Sequence, residues 1–197
     1  MKIENEIKNF LKENCEIISK INTKQITKTI KLIKNYKKKK GRIFFCGNGG
    51  GAGHASHATN DFKKICNIES YCLSDNISEL TAQINDNGWD YSYKNIMQTS
   101  NFSRKDILFV FSVGGGDLKK KISINLINAI KYAKIKKGKI VSIVSSRNSF
   151  ANKNSHICIN IPNLYKERVT PHTESVQALI WHLIVSNSEL KINKTKW

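Results

Sequence analysis

Proline is nearly missing from this chain, arginine is scarce, and acidic residues are heavily outnumbered. The 197 residues include 2 Pro, and 33 Lys and Arg stand against 15 Asp and Glu. With 11 Gly and so little Pro, collagen-like and low-complexity classes are excluded. No apolar run approaches the ~20 residues a membrane span needs, so no membrane partner is expected. The 5 cysteines are an odd number and form no C-x-x-C pair. Cys46, Cys72 and Cys158 lie inside apolar runs, where a free thiol behaves as a small hydrophobe. The opening Lys2-Ile3-Glu4-Asn5 leads into an amphipathic pattern and not into the apolar stretch of a signal peptide. The expectation is a cytoplasmic protein with reduced thiols.

What the chain does have is lysine, and a formal charge of +18. Such a balance first suggests a nucleic-acid partner. The composition argues otherwise, because 29 of the cations are Lys and only 4 are Arg. Arginine is the residue suited to bidentate contacts with phosphate and base edges. The lysines run through the whole chain together with 28 Ile and 22 Asn, as a coding bias would place them. The densest run, Lys37 to Lys40, closes an amphipathic stretch where positive charge suits a helix C-terminus. The charge is read as a solvated surface, and nucleic acid is not an expected partner. A hydrophobic content of 40% suffices for a core, and the length fits one domain with a helical extension.

Residues 2–40 read as two helices: Ile3, Ile7, Phe10, Leu11, Ile17 and Ile18 recur at three and four, and Ile26, Ile30 and Ile33 repeat the pattern after a break. Thr23 is the predicted N-cap of the second helix and Gly41 its stop. The period then changes. Short β-branched or aromatic runs occur at Ile43–Cys46, Ser70–Leu73, Ile107–Ser112, Ile140–Val144 and Ile157–Ile161. Several are apolar on both faces, as buried parallel strands are. Helical segments at 52–64, 77–86, 91–100, 118–136 and 171–188 separate them. The alternation predicts an α/β fold, a three-layer αβα sandwich with a mainly parallel five-stranded sheet plus two N-terminal helices. Ligands then belong at the carboxyl ends of the strands.

Glycine clusters follow the first and third strands: Gly47-Asn48-Gly49-Gly50-Gly51, and Gly114-Gly115-Gly116. Such loops let backbone N–H groups approach an anion at a helix N-terminus. Neither has the spacing of a dinucleotide or Walker loop, so a small phosphorylated or hydroxylated ligand is favoured. His57 and Asp61, four apart on the next helix with His54 a turn earlier, can hold a divalent metal or share a proton. A solvent-facing helix start would explain the same residues. On the last helix, Thr170-Pro171 reads as a cap with Pro at the first position. Glu174 and His182 follow within about 80° of one face. Amid Leu179, Ile180, Trp181, Leu183 and Ile184, His182 also reads as a core histidine unless this helix meets the first glycine loop.

Gly47-Asn48-Gly49-Gly50 followed by His57 and an acid at 61 resembles the sugar-isomerase (SIS) domain family, and within it the phosphoheptose isomerases. Asn85-Asp86-x-Gly88 is similar to that family's substrate loop, Ser112 with Val113 and Gly114 to its phosphate loop, and the 174–182 segment to its closing helix. The resemblance runs from about residue 2 to 190. It implies a flavodoxin-like SIS domain at 41–197, with residues 1–40 used in oligomer assembly, commonly a homotetramer with sites between subunits. It further implies an aldose–ketose isomerase interconverting sedoheptulose 7-phosphate and D-glycero-D-manno-heptose 7-phosphate through an enediol, a step toward heptose in surface polysaccharide. By resemblance, Asp61 is the base and His182 the acid, and a zinc ion would take His57, Asp61, Glu174 and His182. Substrate contacts would come from Asn48, Gly49, Gly50, Asn85, Asp86, Ser112, Val113, Gly114, Asp117 and Glu174.

The chain departs from the family's pattern in three places. Asp61 stands where the family has Glu, and Glu174 where it has Gln. Asp117 occupies the position of a phosphate-binding Ser, in a loop with fewer hydroxyls. A carboxylate beside a phosphate is unfavourable unless it turns away as the N-cap of helix 118–136, while Lys119 to Lys121 balance the charge. Glu174 adds negative charge near Asp61, which favours a metal. These departures keep open an isomerase of another sugar phosphate and a non-catalytic sugar-phosphate-binding or regulatory module.

Overall fold

The β-branched and aromatic runs form one sheet. In this computed structural model, which describes residues 1–194, strands β1 (Ile43–Gly47), β2 (Ser70–Cys72), β3 (Ile107–Phe111), β4 (Lys139–Val144) and β5 (Ile157–Asn160) are all parallel, in the order β2-β1-β3-β4-β5. Every residue of β1 and β3 is buried, because helices cover both faces of a parallel sheet. Side chains alternate between those faces. Phe45, Phe109, Phe111 and Ile143 pack with α2 (Thr23–Lys38), α3 (Gly50–Cys66) and α8 (Val169–Ser186). Phe44, Cys46, Leu108 and Val110 pack with α5 (Ser92–Thr99) and α6 (Ile124–Ile135). The three-layer αβα architecture is the expected one. The sheet order brings the loops after β1 and β3 side by side at the carboxyl edge.

The N-terminal helices behave differently from each other. α2 buries Ile26, Ile30 and Ile33 in the core, whereas α1 (Lys2–Ser19) buries only Ile17 among its residues. α1 is tied to the start of α8 by Glu13, whose carboxylate lies 3.0 Å from Arg168 and 2.7 Å from His172. Phe10 stacks on the His172 ring at 4.6 Å. None of the described helices is long and apolar enough to cross a membrane.

Several expected boundaries move. The cap of α2 is Asn22, not Thr23: its Oδ1 accepts from the Lys24 N–H at 3.0 Å. At the other end Lys40 takes the left-handed conformation (φ 54°), and Gly41 N–H closes on the Tyr36 carbonyl at 2.9 Å. α8 begins before Thr170, with Arg168 at the cap. Pro171 is tolerated in its first turn because N–H groups there have no intrahelical acceptor. The helix expected at 118–136 starts at Ile124, since residues 117–122 close a small antiparallel bridge, Asp117 to Ile122. Helix α4 (Ile77–Asn87) packs on α5 with none of its residues buried, and the short α7 (Phe150–Asn154) lies against β4 and β5. α7 was not expected.

Candidate active site

The first glycine loop turns from β1 straight into α3. Gly49 adopts φ 56° to make the reversal, a conformation with little cost only for glycine. The loop is held from the opposite layer: the buried Tyr93 hydroxyl donates to the Gly47 carbonyl at 2.6 Å. The side-chain amides of Asn48 and Asn125 exchange hydrogen bonds of 3.0 and 2.8 Å. Asn125, at the start of α6, is fully buried and had not been singled out. Its only sequence signal is an amide inside an otherwise apolar helix segment.

α3 buries Ala55, Ala58 and Phe62 against the sheet and lies beside α8, which buries Val176, Ile180 and Ile184 in the same cluster. This packing brings the two candidate segments together. His57, Asp61 and His182 offer ligand atoms that all lie within 4.8 Å of one another. His57 Nε2 stands 3.7 Å from Asp61 Oδ2, and Asn60 donates to the other carboxylate oxygen at 3.1 Å. His182 Nδ1 is 2.8 Å from the Ala178 carbonyl. The carbonyl can only accept, so Nδ1 carries the hydrogen and Nε2 faces the group with its lone pair. The two imidazoles stand nearly perpendicular, 87° at 5.3 Å between centroids. His182 is half-buried and not the core histidine of the plainer reading.

Glu174 is the correction to the four-ligand expectation, for it is not in this group. Its carboxylate instead lies against Gly50, 2.5 Å from where a Cβ on that residue would stand. That position is the N-terminus of α3, where the peptide dipole favours an anion. His54 sits between Phe111 (5.9 Å between rings) and the Glu174 side. Its Nε2 is buried without a hydrogen-bond partner among the described residues. Burial holds its pKa below the usual histidine range, against the opposing pull of Glu174.

The second glycine loop follows β3 on the same edge. Ser112 Oγ accepts from the Gly115 N–H at 3.0 Å, which leaves its own hydrogen to donate. Val113 and Gly115 carbonyls take the N–H groups of Ser145 and Ala151 at 3.0 and 2.8 Å. Gly114 is exposed. Asp117 turns onto its own backbone, accepting from Lys119 and Lys120 N–H at 2.9 and 3.1 Å. It caps a turn there and not the long helix expected. Asn85 and Asp86 lie exposed at the end of α4, hydrogen-bonded to each other at 2.9 Å. Among the described residues no hydrogen bond ties them to the α3–α8 group.

A carboxylate and an imidazole this close can divide proton removal and donation beside a carbonyl. Two imidazole nitrogens and a carboxylate oxygen also suit zinc, with a coordination position left for substrate or water. The donor set therefore fits such an ion.

Residues 8–145 match the SIS domain family. The phosphoheptose isomerase of Haemophilus ducreyi is 26% identical over 200 residues, covering 96% of this chain and 97% of that protein. The lincomycin biosynthesis protein LmbN of Streptomyces lincolnensis is 29% identical over 150 residues, which is 73% of this chain and 54% of that protein. The chain thus spans about half the length of that relative. Among solved structures, phosphoheptose isomerase GmhA from Neisseria gonorrhoeae superimposes with a TM-score of 0.80 at 20% identity, over 93% of this chain and 96% of that one. A phosphoheptose isomerase from Francisella tularensis gives 0.78 at 18% identity, over 93% and 94%. The fold is shared with both.

Proposed function

Because the chain belongs to the SIS domain family, we propose that it is a sugar-phosphate isomerase of the aldose–ketose type, with sedoheptulose 7-phosphate as its substrate and D-glycero-D-manno-heptose 7-phosphate as product. The convergence of His57, Asp61 and His182 carries this reading. It gives the site a carboxylate and an imidazole within proton-transfer reach of one small substrate segment. The name of the Haemophilus ducreyi relative at 26% identity points the same way.

In this mechanism Asp61 removes the proton from the carbon beside the carbonyl. In the metal-free site His182 as the imidazolium, with Nδ1–H on the Ala178 carbonyl, delivers the proton on Nε2 to the carbonyl oxygen, giving an enediol. Reversal with the roles exchanged on the neighbouring carbon yields the isomer. His57 orients Asp61 across their 3.7 Å contact. His57, Asp61 and His182 would hold a zinc ion, which would take the place of the proton on His182 and, when bound, would polarise the substrate oxygens as a Lewis acid. Asn48, Gly49, Gly50 and Glu174 take the sugar hydroxyls, with Asn85 and Asp86 approaching from α4. The phosphate takes the Ser112 hydroxyl and the backbone N–H groups of Val113 and Gly114. Asp117 accepts from the Lys119 and Lys120 N–H groups, which partly offset its charge beside the phosphate.

The assembly belongs to the same reading: a cytoplasmic homotetramer in which residues 1–40 serve as the assembly extension. Two observations support it. The His57 side chain is 58% exposed in the single chain, too open for chemistry that must exclude water. Ile3, Ile7 and Leu11 on α1 are left on the surface. The product would feed heptose synthesis for surface polysaccharide.

Incubation with sedoheptulose 7-phosphate in deuterated water tests the proposal. Wild type should incorporate solvent deuterium at the carbon next to the carbonyl and form the aldose. Asp61→Ala and His182→Ala should each lower turnover by about 10²–10⁴-fold. Absence of turnover in wild type, or full activity in both variants, overturns it. The loop with few hydroxyls around Asp117 favours a second reading, a sugar-phosphate-binding regulatory module. That one predicts binding of the sugar phosphate without exchange.

A further inference from the structure

Trp181 is the largest fully buried side chain among the described residues, 1% exposed, and its ring packs against both histidines of the site. Its indole stacks on His182 at 3.5 Å and 27°, and meets the His57 ring edge-on at 4.7 Å and 67°. The indole N–H has no hydrogen-bond partner among the described residues, which is unfavourable for a buried donor. A hydrogen bond therefore does not explain why an indole fills this place. A phenyl ring would fill much of the same core without an orphaned donor. What the indole adds is width: one plane reaches an imidazole on α8 and another on α3. Both contacts are of the offset or edge types that aromatic pairs favour.

We propose that Trp181 is a positioning residue of the metal-binding pair, an aromatic brace that sets the His57 and His182 rings perpendicular so that their lone pairs converge. The inference rests on the reading of these histidines as metal ligands. On His182 the brace acts with the Ala178 carbonyl: the hydrogen bond fixes which nitrogen faces the site, and the stacking fixes the plane of the ring. On His57, which is exposed on its other side, the indole edge is the contact that limits ring rotation. Free rotation of an exposed ligand has to be lost on binding, so bracing it beforehand raises affinity.

The consequence is a spectroscopic one. A metal held by these rings lies close to the indole, and open-shell Co²⁺ quenches indole emission at short range. The test uses the full chain carrying Trp89→Phe and Trp197→Phe, which leaves Trp181 as the sole indole. Titration of the metal-free protein with Co²⁺ should lower the emission saturably at one equivalent, and EDTA should restore it. Trp181→Phe, whose ring is too narrow to reach both imidazoles, should shift the visible Co²⁺ absorption band slightly and bind about threefold to tenfold more weakly than the parent. Trp181→Leu should shift that band and weaken binding at least tenfold. A merely structural tryptophan would lower the melting temperature in both variants and leave band and affinity unchanged; that result overturns the inference. Co²⁺ bound at one equivalent without quenching also overturns it, and this arm decides the matter if Trp181→Leu does not fold. If the parent binds no Co²⁺, the metal reading falls together with the brace, whereas isomerase turnover is measured separately in the deuterium assay.

Discussion

Asn48 in the first glycine loop and Asn125 at the start of α6 form a closed amide pair, each donating to and accepting from the other at 3.0 and 2.8 Å. The pair joins the loop after β1 to the helix that follows the second glycine loop, so the two candidate binding loops share one support. Each amide keeps one N–H and one lone pair beyond the pair. Those of Asn48 are the ones exposed to the cleft, since Asn125 is fully buried.

Replacing Asn125 by Asp tests that support. The carboxylate can still accept from Asn48 Nδ2 but cannot donate to its Oδ1. The expected cost is about 1–3 kcal/mol of stability, read by urea unfolding. KM for the sugar phosphate should rise more than kcat falls. An unchanged KM would remove Asn48 from the substrate contacts.

Gly50 and Gly51 answer differently to a methyl group. In Gly50→Ala the new Cβ would meet the Glu174 carboxylate at 2.5 Å. The far end of a side chain can swing away, so the fold should survive with a melting temperature near wild type while activity falls. In Gly51→Ala it would meet the Phe111 carbonyl at 2.7 Å, backbone that cannot yield, and the variant should be strongly destabilised. Thermal melts and turnover of both proteins check this, and equal melting temperatures would refute it.

His156 predicts an acid-sensitive fold. The Ile140 N–H donates to His156 Nδ1 at 3.1 Å, which requires an unprotonated Nδ1. Burial first, and then Lys139 and Lys134, lower its pKa. The folded state thus binds this proton more weakly than the unfolded chain. The stabilisation is present above the ordinary histidine pKa of about 6.5 and is lost as pH falls through the lower folded value. Melting temperature should drop between pH 7 and pH 5, and His156→Asn, whose Oδ1 can still accept from Ile140, should flatten that drop. A slope unchanged by the substitution would assign the acid sensitivity elsewhere.

Among the cysteines, only Cys15 is exposed. Burial pushes the thiols of Cys66, Cys72 and Cys158 up to about 11 and raises that of Cys46 as well. In the native protein at pH 8, iodoacetamide should modify Cys15 within minutes and the others only after denaturation. Mass spectrometry of the labelled peptides reads the outcome.

The strands were legible because a buried parallel strand writes a run of apolar residues, and Ile43–Cys46 and Ile107–Ser112 are such runs. The loop after β3 was misjudged because Asp117, Lys119 and Lys120 form a local turn whose hydrogen bonds compete with helix. Asn125 and Trp181 went unassigned for another reason. An amide in an apolar helix and a tryptophan in a core segment acquire their roles only from what lies opposite.

By itself the sequence determined relationships within an element. Helical geometry put His57 and Asp61 on one face, and apolar periodicity marked out the two N-terminal helices. Relationships between elements were left to the tertiary structure. The packing of α8 against α3 delivers His182 to that face, sends the Glu174 carboxylate to Gly50 and not to the metal-binding group, and sets Trp181 against both imidazoles. The physical reason is that spacing along a helix follows from bond geometry, whereas the neighbour of a helix is chosen by the burial of all the apolar faces at once.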